Sequence, residues 1–205
     1  MSDRSEGSGA AAEESTNRIE QVADAALRLF ARYGFKRTSM DDIAKEAGLA
    51  KATLYLHFKG KDDVFRAMLH LLGQRVEARC RDVLVMAAPF PARLSALLRG
   101  HFGTAYASFG TGEHLPELKA VMSSIAGPEL IAFEQIFTGF AKRLFTEADK
   151  AGEIALAKAG IGIDMLIGSL MFAAAGAKLG ATPSCEGYAE RLDDIAKVFA
   201  AAVAP

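Results

Sequence analysis

Residues 39–58, SMDDIAKEAGLAKATLYLHF, constrain the fold most, because they predict two short helices joined by a tight turn. Ser39 followed three residues later by Asp42 is a capping box, in which each side chain satisfies a free backbone amide at a helix N-terminus. Gly48 can adopt the left-handed conformation that ends a helix. Leu54 and Phe58 lie four residues apart, on one face of a second helix. The stretch therefore predicts a helix-turn-helix.

The opposite face of the second predicted helix carries an unusual set of groups. Amine, hydroxyl, phenol and imidazole side chains follow one another on barely two turns, and two more lysines come soon after them. Any helix hairpin can contain two short helices around a glycine, so this composition is what favours a nucleic-acid-reading face. Such groups pair with phosphate oxygens better than with another helix. They are Lys51, Ala52, Thr53, Tyr55, Leu56 and His57, followed by Lys59 and Lys61.

Charge is distributed unevenly along the chain. The 205 residues are 51% apolar with a net charge of -1, which is typical of a globular protein with one or two domains. Residues 17–61, however, carry nine basic and five acidic side chains, whereas residues 1–16 carry one basic and four acidic. Positive charge therefore coincides with the predicted helix-turn-helix, as a nucleic-acid-binding surface requires.

Other features exclude several classes of protein. Residues 1–16 lack the basic start and apolar centre of a signal peptide and predict a disordered tail, so we expect a cytoplasmic protein. The most apolar stretch, 161–177, is shorter than the ~20 residues that a membrane span requires. Cys80 and Cys185 lie far apart without histidine partners, which predicts reduced thiols, with no metal and no cofactor.

A longer helix is predicted before the helix-turn-helix, over residues 17–33. Apolar residues recur along it at the i, i+3, i+4 and i+7 spacing of one buried stripe, and Gly34 ends it. Packed across the two short helices, it completes a three-helix unit. The expected core of this unit is Val22, Leu29, Phe30, Ile43, Leu49, Leu54 and Phe58.

Several runs in this region agree with a known pattern at fixed spacing. They are FARYGF from Phe30, TSMDDIA from Thr38, AGL from Ala47 and TLYLHF from Thr53, together with Lys61, Val64 and Phe65. With these residues, region 17–77 closely resembles the N-terminal DNA-binding domain of TetR-family transcriptional regulators. The resemblance implies an all-α homodimer, in which a three-helix helix-turn-helix domain precedes a larger helical domain. That second domain usually binds a small ligand and controls DNA affinity.

The resemblance also implies which residues contact DNA. The start of the second helix meets a phosphate, the third helix enters the major groove, and the start of the fourth helix meets another phosphate. Ala50 and Ala52 depart from the family, which often has a serine or threonine cap at the first position and glycine at the second. The missing cap costs ~1 kcal/mol of helix stability without removing a base-reading group. The implied contacts are Thr38, Ser39 and Met40, then Lys51, Ala52, Thr53, Tyr55, Leu56 and His57, and finally Lys61.

Periodicity predicts a larger helical domain over residues 78–205. A long fourth helix over residues 62–86 leads into it. Prolines and glycines divide the remainder into five further helices, which makes about nine in all. These five are predicted over residues 92–109, 115–125, 129–150, 160–179 and 186–203.

The second domain contains residues with the composition of a small-molecule pocket. A few polar side chains stand among many apolar ones, and Gly100, Gly103 and Gly139 lie inside predicted helices, where a missing Cβ leaves space. The same glycines are compatible with close helix packing, and His101 with a satisfied core histidine, so both interpretations stay open. A pocket here suits an apolar or aromatic ligand. The candidate contacts are His101, Phe102, Tyr106, Phe109, Met122, Phe137 and Met165.

The last two predicted helices combine small and large apolar residues, which predicts the homodimer interface. The three-helix unit of each subunit is called the reading head below. Because each reading head covers half a site, a palindromic operator requires a dimer. The candidate interface residues are Met165, Ser169, Phe172, Gly176, Ile195 and Phe199.

These expectations describe a sequence-specific, DNA-binding transcriptional regulator, and most simply a repressor that an apolar or aromatic ligand releases from a palindromic double-stranded operator. Two alternatives stay open: a helical ligand-binding or adaptor protein without a specific operator, and an activator of the same fold. An enzyme is not expected, since the sequence has no metal-spaced cluster, no G-x-S-x-G elbow and no phosphate-binding loop.

Overall fold

The structure is a computed structural model that describes residues 6–109, 114–180 and 182–205, with side chains from Glu14 onward. These ranges contain helices and no strand, so the all-α prediction is confirmed. The α-helices are α1 (Glu6–Tyr33), α2 (Met40–Glu46), α3 (Lys51–His57), α4 (Lys61–Leu84), α5 (Phe90–Leu98), α6 (Thr104–Phe109), α7 (Leu115–Ile125), α8 (Gly127–Lys150), α9 (Leu156–Ala159), α10 (Ile163–Gly176) and α11 (Cys185–Ala202).

Helix α1 begins earlier than the sequence predicts. It starts at Glu6 and not near Asn17, so the predicted disordered tail is wrong for residues 6–16. The run AAAEE over residues 10–14 consists of strong helix formers, which the low hydrophobicity of the tail obscured. Residues 1–5 of the predicted tail lie outside the described residues.

Two departures from the predicted helices occur in the C-terminal half. The predicted helix over residues 92–109 is divided by a π-helical turn, Arg99–Gly103, between α5 and α6. The single-turn helix α9 is an addition between α8 and α10. A π-turn inserts an extra residue into a helix without disturbing the apolar stripe enough to be visible in a short sequence, which explains the first departure.

The described chain divides into two compact units. Helix α4 contributes residues to both of them, close to the predicted domain boundary between residues 77 and 78. Helix α7 was expected in the C-terminal domain, but it belongs to the first unit. The first unit contains residues 6–72 and 114–130, and the second contains residues 73–109, 131–180 and 182–205.

Three phenylalanine rings form the centre of the first unit. Phe30 of α1, Phe35 in the following turn and Phe65 of α4 have ring centroids 5.2 to 5.6 Å apart. Aromatic pairs at such distances contribute ~0.5–1.5 kcal/mol beyond the burial of their area. The cluster therefore ties the end of α1 to the beginning of α4. Of the predicted core residues, Val22, Phe30, Ile43, Leu54 and Phe58 are buried, whereas Leu29 and Leu49 are half-buried.

Helix α7 is held in the first unit at both ends. Near its start, a carboxylate oxygen of Glu117 accepts a hydrogen bond from the backbone amide of Lys36 at 2.8 Å. At its end, the carbonyl oxygen of Ile125 accepts from Nε of Arg66 in α4 at 2.9 Å. Between them Leu118 is fully buried.

Polar side chains join the helices of the second unit. The carboxylate of Asp193 in α11 accepts from the hydroxyl of Ser95 in α5 and, at 2.7 Å, from Nε of Arg99. The hydrogen bond from Arg99 is the main reason why the pKa of Asp193 lies below its ordinary value. The hydroxyl of Tyr188 in α11 donates to the carbonyl of Ala174 in α10 at 2.9 Å. These bonds place α11 between α5 and α10.

Neither a membrane span nor a metal cluster is found in the described ranges. None of their helices combines the length and the apolar character needed to cross a bilayer. Within the same residues, no three His, Cys, Asp or Glu side chains are grouped to hold an ion. Both cysteines are free thiols: Cys185 is exposed, and burial raises the pKa of Cys80 to about 12.

Candidate DNA-binding site and effector region

The N-terminus of α2 has the predicted capping box. The hydroxyl oxygen of Ser39 accepts from the backbone amide of Asp42 at 3.1 Å, and the carboxylate of Asp42 accepts from the amide of Ser39 at 2.9 Å. The hydrogen bonds from Ser39 lower the pKa of Asp42, because they favour its charged form. The helix begins at Met40 as predicted, and Ser39 lies exposed at its start.

The turn between α2 and α3 depends on one glycine. Gly48 has φ +66°, in the left-handed region that other residues adopt with strain. Helix α3 follows this turn, and its Leu54 side chain is fully buried. Ala50, at the N-cap of α3, makes no side-chain cap, as its sequence predicts. Helix α3 therefore owes its position to the packing of Leu54 and to the turn before it.

The outer face of α3 brings together the residues predicted for the major groove. Leu56 is 82% exposed and Tyr55 is 47% exposed. Lys51 and Ala52 are exposed beside them, whereas Thr53 is half-buried. His57, also half-buried, lies at the last turn. A contiguous surface of this kind, on a helix anchored from behind, can enter a groove of DNA.

Lys51 forms an ion pair with Asp41. Its Nζ lies 2.7 Å from Oδ1 of Asp41 in α2, and the hydrogen bond with Asp41 raises the pKa of Lys51. Both side chains are exposed. Because solvent screens an exposed pair of this kind, a phosphate or a guanine can replace Asp41 as the partner.

Lys61, for which the sequence predicts a phosphate contact, is hydrogen-bonded within the protein. Its Nζ donates to the carbonyl oxygens of Phe35 at 2.6 Å and Thr38 at 2.9 Å, with Lys36 at a longer 3.5 Å. It also lies 4.4 Å from the centroid of the Phe35 ring. An ammonium has three donors, and these carbonyls occupy them. Partial burial accordingly lowers the pKa of Lys61.

Thr38 is likewise turned inward. Its side chain is buried, and its hydroxyl donates to the carbonyl of Gly34 at 2.8 Å. The Thr38 side chain therefore closes the turn that leads into α2, and a phosphate contact at this position stays a prediction. Residues 34–38, with Thr38 and Lys61 bonded to their carbonyls, are called the α1–α2 turn below.

An exposed cation within this turn was not among the predicted contacts. Arg37 lines an open cleft of about 550 Å³ on the surface of the first unit. The basic pair at positions 36 and 37 is the sequence signal that indicates it. The other residues lining the cleft are Leu29, Tyr33, Thr38, Asp42, Lys45 and Glu46.

The residues predicted for ligand binding fall into different environments. His101 lies in the π-turn, is only 5% exposed, and has its ring 4.6 Å from that of Phe102 and 5.2 Å from that of Phe137. Phe133, which was not among the predicted contacts, completes the cluster at 5.9 Å from His101. Within the described residues, Nδ1 of His101 has no hydrogen-bond partner. Burial, together with the charge of Lys178, lowers the pKa of His101 to about 4, so the ring is neutral.

The remaining predicted ligand contacts do not share this cluster. The hydroxyl of Tyr106 is committed to the carbonyl of Pro183 at 2.7 Å, and Phe109 is buried near the end of α6. Met165 is 60% exposed on α10. Met122 lies on α7 in the first unit. The prediction is therefore revised to His101, Phe102 and Phe137 with Phe133.

An exposed stripe runs along α10. Met165, Ser169, Phe172 and Gly176 are all exposed at helical spacing, and Phe172 reaches 80%. The α11 residues Ile195 and Phe199 are half-buried, next to the exposed Val198. The predicted interface residues thus share solvent-facing surfaces of the last two long helices.

Comparison with known proteins identifies the family. Residues 22–68, which contain α2, α3 and the start of α4, match the model of bacterial regulatory proteins of the tetR family. The fatty acid metabolism regulator protein of Bacillus subtilis (strain 168) is 29% identical over 142 residues, which cover 65% of this chain and 69% of that protein. The N-terminal region of the chain is therefore of the TetR type.

A second relative matches over a shorter stretch. The HTH-type transcriptional regulator AcrR of Shigella flexneri is 42% identical over 52 residues, 25% of this chain and 24% of that protein. The match with AcrR therefore spans about a quarter of either protein. The helix-turn-helix of α2 and α3 is that of a DNA-binding transcriptional regulator.

Solved structures of bacterial regulators share the fold of nearly the whole chain. A transcriptional regulator from Cytophaga hutchinsonii ATCC 33406 has a TM-score of 0.68 at 20% identity, covering 91% of this chain and 98% of that one. The fatty acid degradation regulator FadR from Bacillus halodurans has a TM-score of 0.63 at 16% identity, covering 89% and 94%. At such identities the likeness is one of fold.

Substitution of two lysines should separate a DNA contact from an internal one. In Lys51→Met, the slope of log affinity against log salt should fall by about one with little change in stability, because one phosphate-pairing charge is lost. In Lys61→Met, the carbonyls of Phe35 and Thr38 lose their donor, so the free energy of unfolding should fall by ~1–3 kcal/mol. Urea denaturation and fluorescence anisotropy measure the two effects. A lower salt slope for Lys61→Met at unchanged stability would show that Lys61 binds a phosphate after all.

His101 should make stability depend on pH. Its pKa is about 4 in the folded protein and ~6.5 in the unfolded chain, so between these values the unfolded state binds the additional proton. The free energy of unfolding therefore falls as the pH is lowered through this window. His101→Phe should gain about 2 kcal/mol relative to wild type between pH 7 and pH 5, measured by chemical denaturation. His70→Phe, at an exposed position, is the control. A difference between His101→Phe and wild type that does not change with pH contradicts a buried neutral imidazole.

Proposed function

We propose that the protein is a repressor that binds a palindromic operator as a homodimer and leaves it when an apolar or aromatic effector binds. The observation that carries the proposal is α3, which exposes Tyr55 and Leu56 to solvent while Leu54 anchors it. Large apolar side chains are held in water at a cost unless a partner covers them, and base edges and sugars are suitable partners.

Helix α3 is assigned to the major groove. Lys51, released from Asp41, donates to a phosphate or to guanine. Ala52, Thr53 and Leu56 contact thymine methyl groups, and Tyr55 and His57 reach the flanking backbone. Ser39 and Met40, at the start of α2, lie against a phosphate of the DNA backbone beside the major groove. Arg37 adds a cation there that the sequence-based assignment lacked.

Repression is favoured by a relative. The IcaR protein of Staphylococcus epidermidis, named a negative transcriptional regulator of a biofilm operon, is 36% identical over 47 residues, 25% of that protein. A repressor needs no surface for polymerase, only a DNA affinity that an effector can lower. An activator of the same fold is the alternative, and the direction of the transcriptional response distinguishes the two.

The effector is proposed to be mainly apolar. Two relatives are named for fatty acid metabolism and fatty acid degradation. In this chain, the rings of Phe102, Phe133 and Phe137 surround His101, and the neutral imidazole supplies a single polar group. Such a combination suits a ligand with much apolar surface and little charge. The effector controls DNA affinity only if it binds the free and DNA-bound states unequally.

Titration with DNA tests this function directly. The probe is a labelled duplex from the region upstream of the protein's own reading frame, and its scrambled sequence is the control. A regulator should prefer the former and lose affinity steeply as salt rises. Equal affinity for both duplexes would support the competing class, a helical ligand-binding or adaptor protein without an operator.

The dimer is tested at the most exposed large side chain of α10. Phe172→Glu should convert the dimer to monomers in sedimentation velocity, because a carboxylate cannot be buried against a second copy without a partner. Operator affinity should fall with it, since each head then binds half a site alone. Val85→Glu, an exposed apolar position at the end of α4, is the matched control and should remain dimeric. Unchanged sedimentation of Phe172→Glu refutes this interface.

A further inference from the structure

Glu117 lies outside the part of the chain that matches the family model, yet it contacts the reading head. It is in the first turn of α7, whereas the matched region ends at residue 68. Its carboxylate is three-quarters buried, and one oxygen accepts from the amide of Lys36 at 2.8 Å. Its other oxygen faces Nδ1 of His114 at 3.9 Å.

The contacted segment is the α1–α2 turn, which determines where α2 begins. Gly34 has φ +82°, and a Cβ at this position would collide with the Glu117 carboxylate, so the carboxylate lies directly on the turn. The carbonyls of Phe35 and Thr38 are bonded to Lys61. The amide of Lys36 is bonded to Glu117, the partner that α7 provides.

We propose that Glu117 is a positioning residue for DNA binding: its carboxylate holds the α1–α2 turn in the conformation that presents α2 and α3 to the operator. Lys61 donates hydrogen bonds to carbonyls of the turn, and Glu117 accepts one from an amide of the turn. Thr38 and Ser39 follow immediately, so a displacement of Lys36 moves the N-cap of α2. Helix α3 follows α2 through a tight turn and has no side-chain cap of its own, so it moves with it.

The direction in which DNA affinity changes when Glu117 is replaced distinguishes a positioning role from an effect of its charge. Glu117 is an anion on the unit that binds DNA, so its removal should strengthen DNA binding if only net charge mattered. If Glu117 positions the turn, its removal should weaken binding in spite of the lost negative charge. Glutamine retains an oxygen acceptor at the same place without the charge, so it distinguishes a hydrogen-bonding role from an electrostatic one.

The test compares Glu117→Ala and Glu117→Gln with wild type, and Glu20→Ala is the matched control. Glu20 is an exposed glutamate of α1 in the same unit. The probe is the labelled duplex from upstream of the protein's reading frame. Affinity is measured by anisotropy, exchange of the Lys36 amide by NMR, and folding by thermal melting. Because amide exchange needs no DNA, failure of wild type to bind the duplex would contradict the regulator function separately from this inference.

Glu117→Ala should bind the duplex about tenfold more weakly and exchange the Lys36 amide at least about tenfold faster. Glu117→Gln should stay within about threefold of wild type in both measurements, and Glu20→Ala should bind as tightly as wild type or more tightly. Affinity of Glu117→Ala at or above that of wild type overturns the proposal. So does a loss in Glu117→Gln as large as in Glu117→Ala. If Glu117→Ala does not fold, the glutamine variant decides by the same criteria.

Discussion

The reading head depends on a cation held inside the protein. The ammonium of Lys61 is bonded to the carbonyls of Phe35 and Thr38 and lies over the Phe35 ring. One side chain at the start of α4 therefore fixes the end of α1 and the beginning of α2. Helix α3 has barely two turns and no side-chain cap, so its orientation comes from this arrangement and from the burial of Leu54. The way α3 is presented to solvent thus depends partly on groups that are bonded within the protein.

Ala50 and His101, both among the described residues, break local rules of stability. Ala50 leaves the N-terminus of α3 without a side-chain cap, and His101 buries a ring nitrogen without a partner in a π-turn. Each lowers stability by an amount on the order of 1–3 kcal/mol. Both occur where function is expected, the first at the DNA face and the second in the aromatic cluster. Departures of this kind are typical of functional sites, because a site that binds another molecule leaves groups unsatisfied until that molecule arrives.

Local signals in the sequence predicted local structure well. The capping box at Ser39 and the left-handed Gly48 produced the expected helix boundaries, because both depend on residues that are close along the chain. The role of Lys61 could not be predicted, since a lysine at a helix start is equally compatible with a phosphate and with carbonyls folded beneath it. The attachment of α7 depends on the bond between Glu117 and Lys36, which are far apart in sequence. Pairings of that kind leave no periodicity, and neither does the π-turn.

The central claim is that hydrogen bonds of Lys61 within the protein hold the reading head. The most direct test is a crystal structure of the protein bound to the duplex from upstream of its reading frame. The account predicts that Nζ of Lys61 remains within hydrogen-bond distance of the carbonyls of Phe35 and Thr38. In the same complex, Nζ of Lys51 should leave Asp41 for a phosphate or a guanine. A complex in which Lys61 has left the turn for a phosphate, while Lys51 stays paired with Asp41, would contradict it.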